Sequence, residues 1–267
     1  MILTFSHGWP MVLGIGTTLA YAIPAVAGRR LGASTSWQML VLAWLLHALT
    51  ISTSFLGPEP HFGFAPALSG TAWLALTVYG IERQVFPQMR PGWALAGLGA
   101  ASVVLAMVFP GTTQHPSASA WLPLHWLLGI ASYGLFAAAV LHAWLMTRAE
   151  KSMRLADNEN SGLPLLTLER LTFRFVTAGF VLLSLTLVAG MVFTESLYGA
   201  GRAWRWDHKT IFALLSWVVF AVLLVGRSRF GWRGKRAVRV LYIGSALLLL
   251  SYVGSRFVFE VVLGRML

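Results

Sequence analysis

Apolar residues dominate eight stretches of the chain, near 9–28, 36–56, 64–82, 92–109, 121–147, 173–195, 208–226 and 239–262, and polar residues gather between them. A helix needs roughly 20 apolar residues to cross the hydrocarbon core of a bilayer, so each run predicts a membrane-spanning helix. Glycine and proline inside the runs are compatible with this, because packed neighbours re-satisfy the backbone groups they free. The one long polar connection, 148–172, holds Asp157, Asn158, Glu159, Asn160, Ser161 and Gly162. An amphipathic stretch, Leu165 to Phe173, follows and is expected to lie along the membrane interface. The first run lacks a basic segment before it and has Arg29 and Arg30 after it. It therefore reads as a retained first helix rather than a signal peptide. No internal repeat, low-complexity tract or soluble domain is visible. The expected fold is all-α: a polytopic membrane helix bundle of about eight transmembrane helices, forming one domain over 1–267.

Charge sharpens this picture. Of 267 residues 57% are hydrophobic and only 11% charged, against about a quarter charged in a soluble domain. The net charge of +11 sits in short loops between apolar runs, which points to topology and away from nucleic acid. The loops after helices 1, 3, 5 and 7 hold 15 of the 20 Lys and Arg, from Arg29 and Arg30 to the run Arg227, Arg229, Arg233, Lys235, Arg236 and Arg239. The other side has only Arg202, Arg205, Lys209, Arg256 and Arg265. By the positive-inside rule the first set is cytoplasmic and both ends of the chain face out. There is no cysteine, so disulfides, thiol chemistry and thiolate metal sites are excluded, as is covalent haem attachment through CxxCH.

Polar residues inside spans are costly and default to functional hypotheses. His47 falls near the middle of helix 2, with Thr50 and Ser54 on its face. His125 lies about one turn inside the outer end of helix 5, with Trp121 above it and Ser132 below. His142 is on the same helix but 17 residues on, roughly 25 Å away, and cannot share a site with His125. His115 and His208 fall in outer loops within reach of the mouth of helix 5, and His7 and His61 have less context. Each histidine also has a plain explanation, because membrane histidines hydrogen-bond between helices. For His47 packing and ligation stand level, whereas polar and aromatic groups converge near His125.

The most informative loop is Trp204-Arg205-Trp206-Asp207-His208-Lys209-Thr210, which enters helix 7. Asp207 suits a helix N-cap and the tryptophans suit an interfacial aromatic belt. Their clustering with an imidazole and two cations also matches what a large planar anionic macrocycle such as haem requires.

With these residues in view, the chain resembles the cytochrome c assembly proteins related to CcsA and CcmC, in particular their small YpjD-type, HemX-like branch. His125 with Ser132-Tyr133 is similar to the family helix that begins with a haem-handling histidine. Leu168-Glu169-Arg170 through Phe173-Arg174, then Gly179-Phe180 and Leu182-Leu183, resembles the entry into the next helix. Trp206-Asp207-His208-Lys209-Thr210 resembles the end of the tryptophan-rich haem-handling segment, and Gly231-Trp232-Arg233-Gly234 the turn after helix 7. The resemblance implies haem ligation by two outer histidines. His125 matches the first, but Gly254-Ser255-Arg256-Phe257 stands where the second is expected, and no histidine follows His208. The family's inner histidine on helix 7 aligns with Val225.

The resemblance therefore implies a haem-binding or haem-handling protein of the inner membrane, accessory, without a full haem lyase ligand set and without turnover of its own. His125, His208 and His47 are the candidate iron ligands, with Trp204, Trp206 and Asp207 beside them. Two arrangements stay open: His208 opposite His125, or His47 serving a haem deeper in the bundle. Arg256 could meet a propionate or pair with Glu260 at i+4. The expected partners are membrane lipid, haem and other membrane proteins of cytochrome c assembly, with no nucleic acid. Two rivals are a membrane scaffold that has lost haem binding and a small-molecule transporter. The latter is weakened by the lack of inverted repeats and of an acidic residue deep in a span.

Overall fold

The structure is a computed structural model, and it describes residues 8–28, 30–56, 60–86, 93–113, 121–154, 164–192 and 207–262. Within these, eight helices follow one another: α1 (Trp9–Ala27), α2 (Ala33–Leu56), α3 (Phe64–Val85), α4 (Trp93–Val108), α5 (Trp121–Arg154), α6 (Leu165–Val192), α7 (His208–Phe230) and α8 (Gly234–Leu249). Beyond Leu249 the helix continues to Val262, with π-type winding over Leu250–Gly254 and Val258–Val262. Seven of the eight are long and apolar enough to cross a membrane. The exception, α4, has 16 residues, about 24 Å of helix against a core of about 30 Å. The chain is an all-α, multi-pass membrane bundle.

Two features depart from the sequence expectations. Leu165 to Phe173 is not a separate interfacial segment but the first turns of α6, which runs unbroken for 28 residues. At 1.5 Å per residue α6 reaches about 42 Å, so its amphipathic start extends past the apolar core rather than folding along it. The second is a short antiparallel pair, β1 (His61–Phe62) with β2 (Thr112–Thr113), in the register His61 opposite Thr113. Gly111 precedes β2 at φ 82°, where a Cβ would meet the Phe62 carbonyl oxygen at 2.6 Å. Only glycine fits that approach.

The chain divides into two compact units, 1–81 with 90–116 and 259–267, and 82–89 with 117–258. In the first, α1 packs on α2 and α4. Trp44 and Trp73 stack with centroids 5.2 Å apart, and each indole N–H is bonded, to Thr77 Oγ1 and the Trp44 carbonyl. In the second, α5 and α6 pair along most of their lengths, and α7 pairs with α8. Phe136 and Phe220, both buried, stack at 3.8 Å in its centre. Small residues allow these approaches: the Ser132 hydroxyl donates to the Gly179 carbonyl, and Ser216 to that of Gly244. Close small-residue contacts and interhelical hydrogen bonds hold helices together where lipid removes the hydrophobic drive between them.

Candidate functional site

The histidines separate by unit and by depth. In the first unit His47 is fully buried. Its Nδ1 lies 3.2 Å from the Tyr21 hydroxyl on α1, and its Nε2 lies 2.8 Å from Ser69 Oγ on α3. The Tyr21 ring meets the imidazole edge-on. Thr50, one turn below on α2, shares a 3.0 Å hydroxyl pair with Thr17. Both nitrogens of His47 are thus engaged by hydroxyls from two neighbouring helices, which satisfies a buried imidazole without a metal.

In the second unit His125 is half-buried near the start of α5. Its ring faces α6, where a Cβ at Gly190 would sit 3.5 Å from Cε1, and it also meets the Thr186 backbone. Its Nδ1 is buried and makes no hydrogen bond among the described residues. A buried polar atom left in this condition calls for an explanation.

Asp207 is the N-cap of α7, in extended backbone, with its carboxylate accepting from the Thr210 N–H at 3.0 Å. The cap sets His208 in the first turn, where its Nε2 lies 2.7 Å from Ser255 Oγ on the α8 continuation. Further along, the Tyr133 hydroxyl bonds the Leu248 carbonyl and lies 3.0 Å from Ser251 Oγ. That carbonyl stands at the start of the π-type winding, a local unwinding often found at functional positions. His125 lies beside the end of α6 at Gly190, and the start of α6 lies beside the end of α7 through Glu169 and Arg227. The start of α7, with His208, is therefore at the same end of this unit as His125. Their partners differ: α6 for His125 and the α8 continuation for His208.

His142 lies 17 residues further along α5 than His125, buried with Glu82. The His142 Nε2 is 2.9 Å from Glu82 Oε2, and Nδ1 is 2.7 Å from the Ala138 carbonyl oxygen. The Phe175 ring packs against the imidazole at 5.3 Å. A carbonyl only accepts, so Nδ1 donates to Ala138, and Nε2 faces the Glu82 carboxylate at ion-pair distance without an aligned hydrogen bond. The sequence places His142 too far along α5 to share a site with His125 and does not join it to Glu82. The available signal was depth: both lie at the ends of their spans on the side assigned as cytoplasmic.

That same end carries a basic turn. Arg227 binds the Glu169 carboxylate, Arg233 Nε lies 3.5 Å from the same oxygen, and the Arg227 guanidinium lies 4.5 Å over the Phe173 ring. The turn after α7 is built for this. Gly231 sits at φ 62°, and the Trp232 ring folds onto Gly226, where a Cβ would come within 2.3 Å of it. The Gly231-Trp232-Arg233-Gly234 sequence is thus a backbone reversal locked by a tryptophan.

Comparison with known proteins gives the context. The family model described as cytochrome C assembly protein matches residues 33–263. The chain belongs to the cytochrome c assembly protein family. It is 30% identical over 259 residues to an uncharacterized 28.8 kDa protein of Azospirillum brasilense, covering 95% of this chain and 85% of that one. It is 26% identical to the inner membrane protein YpjD of Escherichia coli (strain K12), over 94% of this chain and 97% of that one. It is 33% identical to the cytochrome c biogenesis protein CcsA of Synechococcus sp. (strain CC9605), over 81% of this chain and 71% of that one. No solved structure matches it.

Of the expected site residues, the structure brings His125, Asp207 and His208 to one end of the second unit and places His47 in the first. Trp204, Trp206 and His115 lie outside the described residues, as do Trp121's and Glu260's side chains. Among the described residues no three His, Asp or Glu side chains converge as a metal site.

Proposed function

We propose that this protein handles haem in the inner membrane as an accessory member of the cytochrome c assembly family, with His125 as the principal ligand. The observation that carries this reading is the buried Nδ1 of His125, one turn into α5 and without a hydrogen bond among the described residues, at the position that resembles the family's haem-handling histidine. Haem, if bound here, would supply an iron able to take an imidazole ligand. The residues that would hold it are His125, whose Nδ1 makes no hydrogen bond among the described residues, and His208, whose Nε2 is braced by Ser255 Oγ. Gly190 on α6 packs beside the His125 ring, where a Cβ would stand 3.5 Å from Cε1. Asp207 fixes the start of α7 and so the place of His208.

The charge distribution supports an orientation with both chain ends and the His125 end outside, and the Arg227 and Glu82 end in the cytoplasm. Because the chain has no cysteine, single cysteines introduced at Thr113 and Lys235 test this by labelling with an impermeant maleimide. Thr113 should react in intact spheroplasts and Lys235 only after lysis.

The haem reading is tested by absorption spectra of protein purified in mild detergent. A Soret band, retained by His61→Ala and weakened or bleached by His125→Ala, is the expected result. No Soret band after haem supplementation would sink it. The absence of any histidine after His208 favours, as the second reading, a membrane scaffold without haem, for which His125→Ala leaves cellular function intact.

A further inference from the structure

We propose that the cleft between the start of α6 and the end of α7 binds the phosphate headgroup of an anionic phospholipid, with an acyl chain lying along the outer face of α6. The cleft is a laterally open groove of about 590 Å³. Four guanidinium groups line it, from Arg170, Arg174, Arg227 and Arg233, against the single carboxylate of Glu169. One oxygen of that carboxylate already serves both Arg227 and Arg233. Arg170 and Arg174 are exposed, one helical turn apart, and pair with no acidic group among the described residues. Like charges at i and i+4 repel, and an anion between them removes the repulsion. Guanidinium suits this task because its planar fork bonds two phosphate oxygens at once.

The walls explain why the anion is a lipid. Phe173 lines the cleft between Arg170 and Arg174, with Leu166 before them and Thr177 and Ala178 after, so the arginines adjoin apolar side chains along the α6 axis. Arg170 and Arg174 continue by helical spacing into Val181, Leu185 and Val188, all about half exposed. A headgroup on the arginines thus puts its acyl chain on a ready apolar stripe, in the arrangement basic pockets at membrane interfaces use for anionic lipids. A free phosphate would use the arginines and leave the stripe idle. The inference is independent of the haem reading, since it concerns the opposite end of the unit from His125.

Native mass spectrometry of the full chain, delipidated and titrated with phosphatidylglycerol or phosphatidylcholine, tests it. Wild type should bind phosphatidylglycerol at least tenfold tighter than phosphatidylcholine. Arg170→Gln/Arg174→Gln should lose most of that preference, each single variant about threefold of it. Arg229→Gln/Arg239→Gln, at the same end but outside the cleft, should keep it. Unchanged elution and melting temperature report that the variants fold. No preference in wild type, full retention in Arg170→Gln/Arg174→Gln, or equal loss in Arg229→Gln/Arg239→Gln overturns the proposal. Displacement of bound phosphatidylglycerol by millimolar inorganic phosphate also overturns it, by showing that the site recognises a free anion.

Discussion

Removing the Glu82 carboxylate should expose what its buried contact with His142 contributes, and whether that contact is ionised. In the native pair His142 Nε2 is 2.9 Å from Glu82 Oε2, and the two side chains are 1% and 8% exposed. His142 cannot turn away to find another partner, because Nδ1 is committed to the Ala138 carbonyl at 2.7 Å and Phe175 covers the ring. If the proton rests on His142, Glu82→Ala strands a buried imidazolium, and breaking such a pair costs about 3–5 kcal/mol. If the proton rests on Glu82, the loss is one buried neutral polar contact, about 1–3 kcal/mol. Glu82→Gln separates the two cases. Its amide donates to a neutral Nε2 and restores most of the stability in the second case, but gives an imidazolium no anion in the first. The assay is reversible unfolding in mixed micelles for wild type, Glu82→Ala, Glu82→Gln, His142→Ala and Glu82→Ala/His142→Ala. A coupling energy of about 1 kcal/mol or more is expected for residues in direct contact. Glu82→Ala within about 0.5 kcal/mol of wild type, or strictly additive single variants, would refute the pair.

Three further outcomes follow from the geometry. His47→Ala strands the Tyr21 and Ser69 hydroxyls, so it should lower stability by about 1–3 kcal/mol in the same unfolding assay, while leaving any Soret band in place. Gly226→Ala drives a methyl to within 2.3 Å of the Trp232 ring. It should cost about 1–3 kcal/mol by overpacking and loosen the turn, read as faster amide exchange over residues 231–236. Tyr133→Phe removes the hydroxyl that holds the Leu248 carbonyl and Ser251. Amide protection should fall over Leu250–Gly254 and stay unchanged in α6.

Element existence was legible because spanning a bilayer leaves a one-dimensional signature. Eight apolar runs became eight helices, and even the short α4 appears as the run at 92–109. The Asp207 cap was equally legible, since capping is a local contact between a side chain and an amide three residues on. The α6 start was misjudged because an amphipathic stretch has the same pattern along an interface and on a helix end that protrudes from it.

What the tertiary structure alone decided is what surrounds the rings of His47, His125, His142 and His208. The same residue type is saturated at His47, paired with a carboxylate at His142, braced by a serine at His208 and left open at Nδ1 of His125. Each outcome depends on side chains from helices far away in the chain. A membrane interior makes apolarity nearly uniform along a span, so the sequence by itself determines how many helices there are and orders their loops by charge. It carries little record of which helix faces meet. Packing sets those faces, and with them Gly190 opposite His125, Glu82 against His142 and the arginine cleft between α6 and α7.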